Sequence, residues 1–172
     1  TRFRGQHVNP LISVVLPTYN RAGLLKRALS SIISQTYPHW EVLVVDNNST
    51  DNTDQVVHDF DNERIRLLKV DNHGVIALSR NVGIREARGE YIAFLDVDDW
   101  WSANKLERQL PLFKDPLVGI VYGKYNIHDS ILKRNRMPYF CYFPLATGYI
   151  TNELLKSYVV GLLTIVVRLI TL

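Results

Sequence analysis

A single cysteine, Cys141, stands among 172 residues. That excludes an internal disulfide, and without a Cys/His cluster around it there is no zinc site; both fit a reducing compartment. No apolar run reaches the length of about 20 residues that a bilayer span needs. Tyr158 to Val167 is apolar but short, and Arg168 interrupts it before Leu172, so it reads as buried structure. Thr1 to Pro10 is polar and basic with no apolar centre, unlike a signal peptide. Lys and Arg are scattered rather than striped, and the net charge is only +3. This argues against nucleic acid as a partner and is compatible with an anionic small substrate. No Gly-x-Gly-x-x-Gly follows an expected strand and no Gly-x-x-x-x-Gly-Lys-Ser/Thr occurs, which disfavours a dinucleotide fingerprint and a P-loop. Repeats and low-complexity segments are also lacking.

What is present is an ordinary globular balance, 47% hydrophobic and 22% charged, in a length that fits one domain over residues 1–172. Leu11 to Leu16 reads as a strand ended by Pro17. Asn20 is placed to cap a helix whose apolar positions Leu24, Leu25, Ala28, Leu29, Ile32 and Ile33 keep helical spacing, and Tyr37-Pro38 stops it. Glu41 to Val45 is a second strand, Thr53 to Phe60 a short helix and Arg64 to Val70 a third strand. Ile76 to Ala87 is a helix closed by Arg88-Gly89. Tyr91 to Leu95 is a fourth strand, with a helix from about Ala103 capped by Ser102. Beyond Pro111 the pattern loosens, with strands expected at Val118 to Tyr122 and Leu163 to Val167. A helix is expected at Thr151 to Tyr158, the stretch Asn126 to Arg136 is polar and basic, and Met137 to Phe143 is aromatic-rich. Short apolar strands alternating with helices predict an open α/β sheet, mostly parallel and buried on both faces.

The chemistry gathers at strand ends. Tyr91 to Leu95 runs into Asp96-Val97-Asp98-Asp99, and alternation would put Asp96 and Asp98 on one side with Val97 opposite. Two hard oxygen ligands there suit a divalent cation that keeps water and meets phosphate. Taken alone, such a run is more often an acidic turn that stops a strand. Asp46 also follows a strand directly. It could accept from a ribose hydroxyl or a base N–H, or equally open an Asx turn through Asn47-Asn48-Ser49. In open α/β sheets ligands lie outside the carboxyl ends of the strands, so Pro17-Thr18-Tyr19-Asn20, Asp46 and Asp96 to Asp99 are expected along one edge. A nucleotide diphosphate held there would need a metal in place of the missing glycine cradle.

Arg80 could fork onto phosphate or pin a neighbouring carboxylate; the plainer reading is a solvated helix Arg. Gly74 and Gly83 permit close backbone approach, and Asn81 within a helix hints at packing or binding. His73 reads as a loop residue. Trp100 and Trp101 suit either a platform for a sugar ring or core packing.

Four blocks occur in order: Val14 to Arg21, Val44 to Asp51, Ser79 to Gly83 and Gly89 to Asp99. Together they resemble the family 2 glycosyltransferases of GT-A fold, a Rossmann-like open, mostly parallel sheet flanked by helices. The resemblance implies that residues of about 11–113 bind a nucleotide sugar and that 114–172 begin the acceptor side. It implies that Pro17, Thr18 and Tyr19 line the nucleotide pocket and that Asp46 contacts base or ribose. Arg80 would lie near base and diphosphate, and Asp96 and Val97 against the nucleotide sugar. Asp98 would coordinate Mg or Mn, with Asp99 a second candidate ligand. The implied reaction is metal-dependent, inverting transfer of a sugar from a nucleotide diphosphate, with UDP favoured, to a glycan or lipid-linked acceptor. The implied setting is the cytoplasm, compatible with peripheral association at the inner face of the membrane. Two other readings are a sugar-nucleotide nucleotidyltransferase and a non-catalytic nucleotide-sugar-binding module. The former would want a glycine-rich first loop, which Pro17 to Arg21 does not provide. The family's base is an acidic residue well beyond the Asp-x-Asp, generally in a Glu-Asp pair. Glu107, Asp115, Asp129 and Glu153 are not in such a pair, so the resemblance implies a chain truncated before the base.

Overall fold

A computed structural model describes residues 9–129, 131–137, 145, 147–148 and 160–169. Runs of β-branched and aromatic residues form strands β1 (Ile12–Thr18), β2 (Trp40–Asp46), β3 (Ile65–Lys69) and β4 (Tyr91–Phe94). Between them lie helices α1 (Ala22–Ile33), α2 (Thr53–Asp59) and α3 (Ile76–Glu86). Helix α4 (Lys105–Gln109) continues into a 3₁₀ turn over Leu110–Lys114. Then come β5 (Ile120–Val121), β6 (Ile127–Asp129), β7 (Arg134–Arg136), a 3₁₀ turn at Leu162–Thr164 and β8 (Val166–Arg168).

The main sheet has the order β3-β2-β1-β4-β8-β5, and β6 pairs with β7 in a separate hairpin. Strands β1 to β4 are mutually parallel, and β8 runs antiparallel to both β4 and β5. The open, mostly parallel α/β expectation is met. The side-chain period of two splits the core cleanly. Ile12, Val14, Leu16, Val42, Val44 and Ala93 face the α1 side, where Leu25, Ala28, Leu29 and Ile32 cover them. Val15, Leu43, Val45 and Ile92 face the other side, with Val82 and Ile84 of α3. Each fully buried aliphatic side chain contributes about 1.5–3 kcal/mol. Gly83 lets α3 sit this close, since a Cβ there would stand 2.5 Å from Val15 Cγ1.

Several local expectations are corrected. Pro17 lies inside β1, opposite Val45. The carbonyl of Val15 accepts from Leu95 N–H on the β4 side, so Pro17, two residues on, turns its ring nitrogen to that same side, past the end of β4. The β1–β4 pairing ends at Val15 and Phe94, so the proline sits where that ladder stops and is tolerated. Asn20 does not cap α1. It takes a φ of 48°, and its Oδ1 accepts from Thr50 N–H at 2.8 Å. The first turn of α1 is capped from a distance instead, because Ala22 N–H donates to Asp51 Oδ2 at 2.9 Å. Ser102 makes no side-chain cap either; α4 starts two residues later than expected, behind Asn104. Helix α3 ends at Glu86, and Gly89 serves the chain by close approach, since a Cβ would meet Leu11 O at 2.6 Å. The expected strand at Leu163 begins with a 3₁₀ turn, is extended from Ile165 and joins the sheet only at Val166. The polar stretch Asn126 to Arg136 contains a hairpin that the pattern did not announce. The expected helix at Thr151 to Tyr158, the stretch 138–143 and Cys141 lie outside the described residues. Among the described residues no helix is long and apolar enough to cross a membrane.

Candidate functional site

From β1 the chain leaves toward β2 and β3 and then returns to place β4 on the opposite flank of β1. Connections that diverge in this way leave a crevice at the carboxyl ends of the two strands. A cavity of about 550 Å³ occupies it. The end of β1 contributes Pro17, Thr18 and Tyr19, and the segment after β4 contributes Asp96, Val97 and Asp98. Asn47 follows β2, and Asn72 and Gly74 follow β3. Residues separated widely in sequence therefore meet at one sheet edge.

The acidic segment is built differently from the expected alternation. Strand β4 stops at Phe94, and Asp96 to Asp99 form a turn closed by Asp99 N–H donating to Asp96 O at 3.0 Å. Val97 is not turned away; it lines the cavity with both neighbours. Arg80 Nη2 lies 2.7 Å from Asp96 Oδ1, so α3 pins this carboxylate. The backbone carbonyl of Asp98 accepts from Arg27 Nη2 at 2.7 Å, while the Asp98 carboxylate forms no hydrogen bond or ion pair among the described residues. Burial, reinforced by the charges of Asp98 and Asp96, pushes Asp99 up to about 6 against the pull of Arg27. The turn thus carries negative charge that the cations of the described residues do not balance, which fits a hard divalent cation. Among the described residues no three acidic, histidine or cysteine side chains come together to hold a metal unaided. A cation here would draw its remaining ligands from water and phosphate oxygens.

Asp46 shares the edge but not the cavity wall. Its side chain is 0% exposed and lies 2.7 Å from Lys69 Nζ, directly opposite it in the β2–β3 register. It also accepts from the backbone N–H and hydroxyl of Ser49. These bonds reach three residues on, one further than an Asx turn, and they hold the loop that carries Asn47 to the cavity. Asn47 Oδ1 accepts from Asn72 N–H at 2.7 Å, and Asn72 Nδ2 donates to Ser79 at 2.9 Å, tying the loops after β2 and β3 to helix α3. The buried hydroxyl of Thr18 and the Nε of Arg80 have no hydrogen-bond partner among the described residues. Thr18 lines the cavity, so its hydroxyl can meet a ligand, whereas Arg80 is not in the cavity wall and stands behind Asp96. Tyr19 stands 55% exposed at the rim.

Residues 13–162 match the family described as Glycosyl transferase family 2. The chain belongs to that family. It is 38% identical over 158 residues to the Escherichia coli UDP-Glc:alpha-D-GlcNAc-diphosphoundecaprenol beta-1,3-glucosyltransferase WfgD, covering 91% of this chain and 59% of WfgD. Identity is 32% over 162 residues to the putative teichuronic acid biosynthesis glycosyltransferase TuaG of Bacillus subtilis, covering 92% of this chain and 62% of TuaG. This family 2 chain therefore spans about 60% of the length of either relative. In three dimensions it is similar to the mannosyltransferase PcManGT of Pyrobaculum calidifontis, solved with GDP-Man and Mn2+. The TM-score is 0.62 at 32% identity, over 68% of this chain and 36% of that one. The fold is GT-A.

Of the other residues singled out from the sequence, Trp101 is core: it is buried, and its Nε1 donates to Leu163 O at 2.9 Å. Trp100 is partly exposed, with Arg27 stacked 4.1 Å over its ring. His73 is a loop residue at φ 50°, and Asn81 is exposed. Sequence reasoning left out Asn47, Asn72, Arg21, Leu24 and Ile76, which also line the cavity. The strand-end rule that selected Asp46 was enough to find Asn47 and Asn72.

Proposed function

We propose that this chain is the donor-binding part of a transferase that moves a sugar from a nucleotide diphosphate to an acceptor hydroxyl with inversion. The observation that carries the reading is the cavity joining Pro17, Thr18 and Tyr19 to Asp96, Val97 and Asp98 at the switch point of the sheet. Tyr19 and Pro17 offer apolar surface to the base, and Thr18 offers its free hydroxyl. Asp96 faces the ribose, and Arg80 holds Asp96 in place beside the diphosphate. Asp46 supports the loop bearing Asn47, and its carboxylate reaches base or ribose when the Ser49 contact gives way. Asp98, with Asp99 beside it, would hold Mg or Mn through one or two oxygens. A divalent cation so bound supplies charge neutralisation for the departing diphosphate. The chain's own part is to fix the donor so that the anomeric carbon faces the acceptor in line.

UDP is the favoured nucleotide, in keeping with the UDP-Glc named for WfgD. A lipid-linked acceptor accords with the diphosphoundecaprenol in the same name, and cell-surface polysaccharide synthesis with TuaG. Work on such an acceptor belongs at the cytoplasmic face of the membrane. None of the described residues is assigned as the general base. Calorimetry of UDP with and without Mn2+ tests the reading. Wild type should bind UDP more tightly with Mn2+, and Asp98→Ala should abolish that difference; a D98A variant that keeps it defeats the assignment.

A further inference from the structure

The β6–β7 hairpin turns on residues that turns seldom use. Ile131 and Leu132 stand at its tip, 88% and 56% exposed, where Asn, Asp or Gly would be ordinary. The tip is built rather than slack. Asp129 Oδ1 accepts from the backbone N–H of Ile131 at 3.0 Å and of Leu132 at 2.9 Å. Lys133 takes a φ of 48° to lead into β7, and His128 Nδ1 lies 2.8 Å from Asn135 Oδ1 across the pair. Lys133, Arg134 and Arg136 follow, all exposed, and none forms an ion pair among the described residues. Single exposed hydrophobic residues are common and mean little. Here two adjacent ones are held at an extremity with three cations directly behind them.

We propose that this hairpin docks on an anionic lipid surface. Ile131 and Leu132 enter the boundary between headgroups and acyl chains, while Lys133, Arg134 and Arg136 lie on the lipid phosphates. Apolar insertion and attraction to anionic headgroups reinforce each other at an interface. A short series of contacts joins the hairpin to the candidate site. The His128 ring meets Trp100 edge-on at 5.5 Å, Arg27 stacks on Trp100 at 4.1 Å, and Arg27 donates to Asp98 O. Docking through the hairpin therefore brings the lipid surface beside the Asp96 to Asp99 turn. The benefit of that placement rests on the proposed transfer to a lipid-linked acceptor; the docking itself does not.

Flotation of the full chain with vesicles, without nucleotide or acceptor, tests it. Wild type should float with vesicles of phosphatidylglycerol and phosphatidylethanolamine and stay behind with pure phosphatidylcholine. The triple change Lys133→Ser, Arg134→Ser and Arg136→Ser should lower partitioning by roughly a hundredfold, and added salt should weaken wild type likewise. Ile131→Ser with Leu132→Ser should lower it about tenfold. Leu132→Trp should shift its emission to the blue on anionic vesicles only. These side chains are exposed, so the variants keep the fold, which circular dichroism checks. Wild type that fails to float, or both sets of variants floating like wild type, overturns the proposal. So does a dimer in sedimentation velocity that Ile131→Ser disperses while vesicles capture nothing, which assigns the tip to a second copy. UDP calorimetry on the same samples separates the two readings. Lost flotation with intact UDP binding defeats the docking alone, and intact flotation without UDP binding defeats the donor site alone.

Discussion

Arg80 Nη2 stands 2.7 Å from Asp96 Oδ1, linking the face of α3 to the acidic turn after β4. Both side chains are partly buried, so each depends on the other for compensation. The pairing leaves Asp98 as the carboxylate on the cavity wall with no ion-pair partner among the described residues, and it fixes the turn that presents Asp98.

Arg80→Met should therefore cost more than a surface pair would. Removing one member of a partly buried pair strands the other, a loss of about 1–3 kcal/mol. The unpartnered Arg80 Nε offsets a little of this, because the buried donor disappears as well. Asp96→Asn added to Arg80→Met should recover part of the stability in urea titrations. Its UDP affinity should stay low, since the cavity loses the Asp96 carboxylate and the residue that holds it. If the double variant is as unstable as the sum of the singles, the two residues do not act as a pair.

Gly83→Ala sets helix propensity against packing. Alanine gains about 1 kcal/mol in a helix interior. Its Cβ, however, would fall 2.5 Å from Cγ1 and 3.0 Å from Cγ2 of Val15, which is fully buried in the sheet. Overpacking of that kind costs about 1–3 kcal/mol. The expected result is net destabilisation by about 1 kcal/mol, the difference of those two effects. Val15→Ala in the same molecule should relieve the clash, so the pair of changes should cost less than the sum of the single ones. A stabilised G83A would show that α3 moves away freely.

The parallel core was legible because its strands are buried on both faces and read as unbroken apolar runs. The cavity was legible because strand ends in such a sheet converge by topology, whatever their spacing. What escaped depends on partners remote in sequence. Asn20 has the residue type of a cap, yet the cap of α1 is Asp51, which arrives from the loop after β2. The ion pair of Asp46 was not legible because Lys69, its partner, becomes adjacent only through the β2–β3 register. Pro17 looked like a terminator because the early end of β4, which makes it harmless, is a property of the neighbouring strand. The hairpin escaped because its turn, with Ile131 and Leu132 at the tip, carries none of the usual Asn-Gly or Asp-Gly chemistry.

Asp51 serves two helices at once. Its Oδ2 takes Ala22 N–H at the start of α1, and its Oδ1 takes the N–H and hydroxyl of Thr53 at the start of α2. Asp51→Ala should destabilise by about 1–2 kcal/mol, a full capping effect. The Thr53 hydroxyl and then the Ala22 N–H hold the Asp51 carboxyl below its ordinary value of 3.8. Its contribution is therefore fully present above the unfolded value and is lost as pH falls through the lower folded one. Urea titrations at neutral pH and in strong acid should show the gap between wild type and D51A closing. A gap that persists in acid would mean the cap does not need the charge.

Lys105 should make stability rise with pH. Its ammonium lies 4.1 Å over the Trp101 ring and donates to Gln109 Oε1 at 2.7 Å. Burial nonetheless pushes it down from 10.5 to about 7. Below about 7 both folded and unfolded chains carry the proton, so the penalty of burying the charge is fully felt. Between about 7 and 10.5 the unfolded chain binds more protons than the native one, and stability climbs. The Trp101 face and the Gln109 amide favour the charged form and blunt the effect, leaving a rise on the order of 1 kcal/mol. Tyr37, raised to about 12 by burial and then by Glu90, works the other way only above its ordinary value of 10.0. Denaturation at pH values near the two ends of that interval, compared with Lys105→Met, isolates the lysine. The variant should be the more stable protein at neutral pH and should lack the climb; an identical climb in both would assign it to another group.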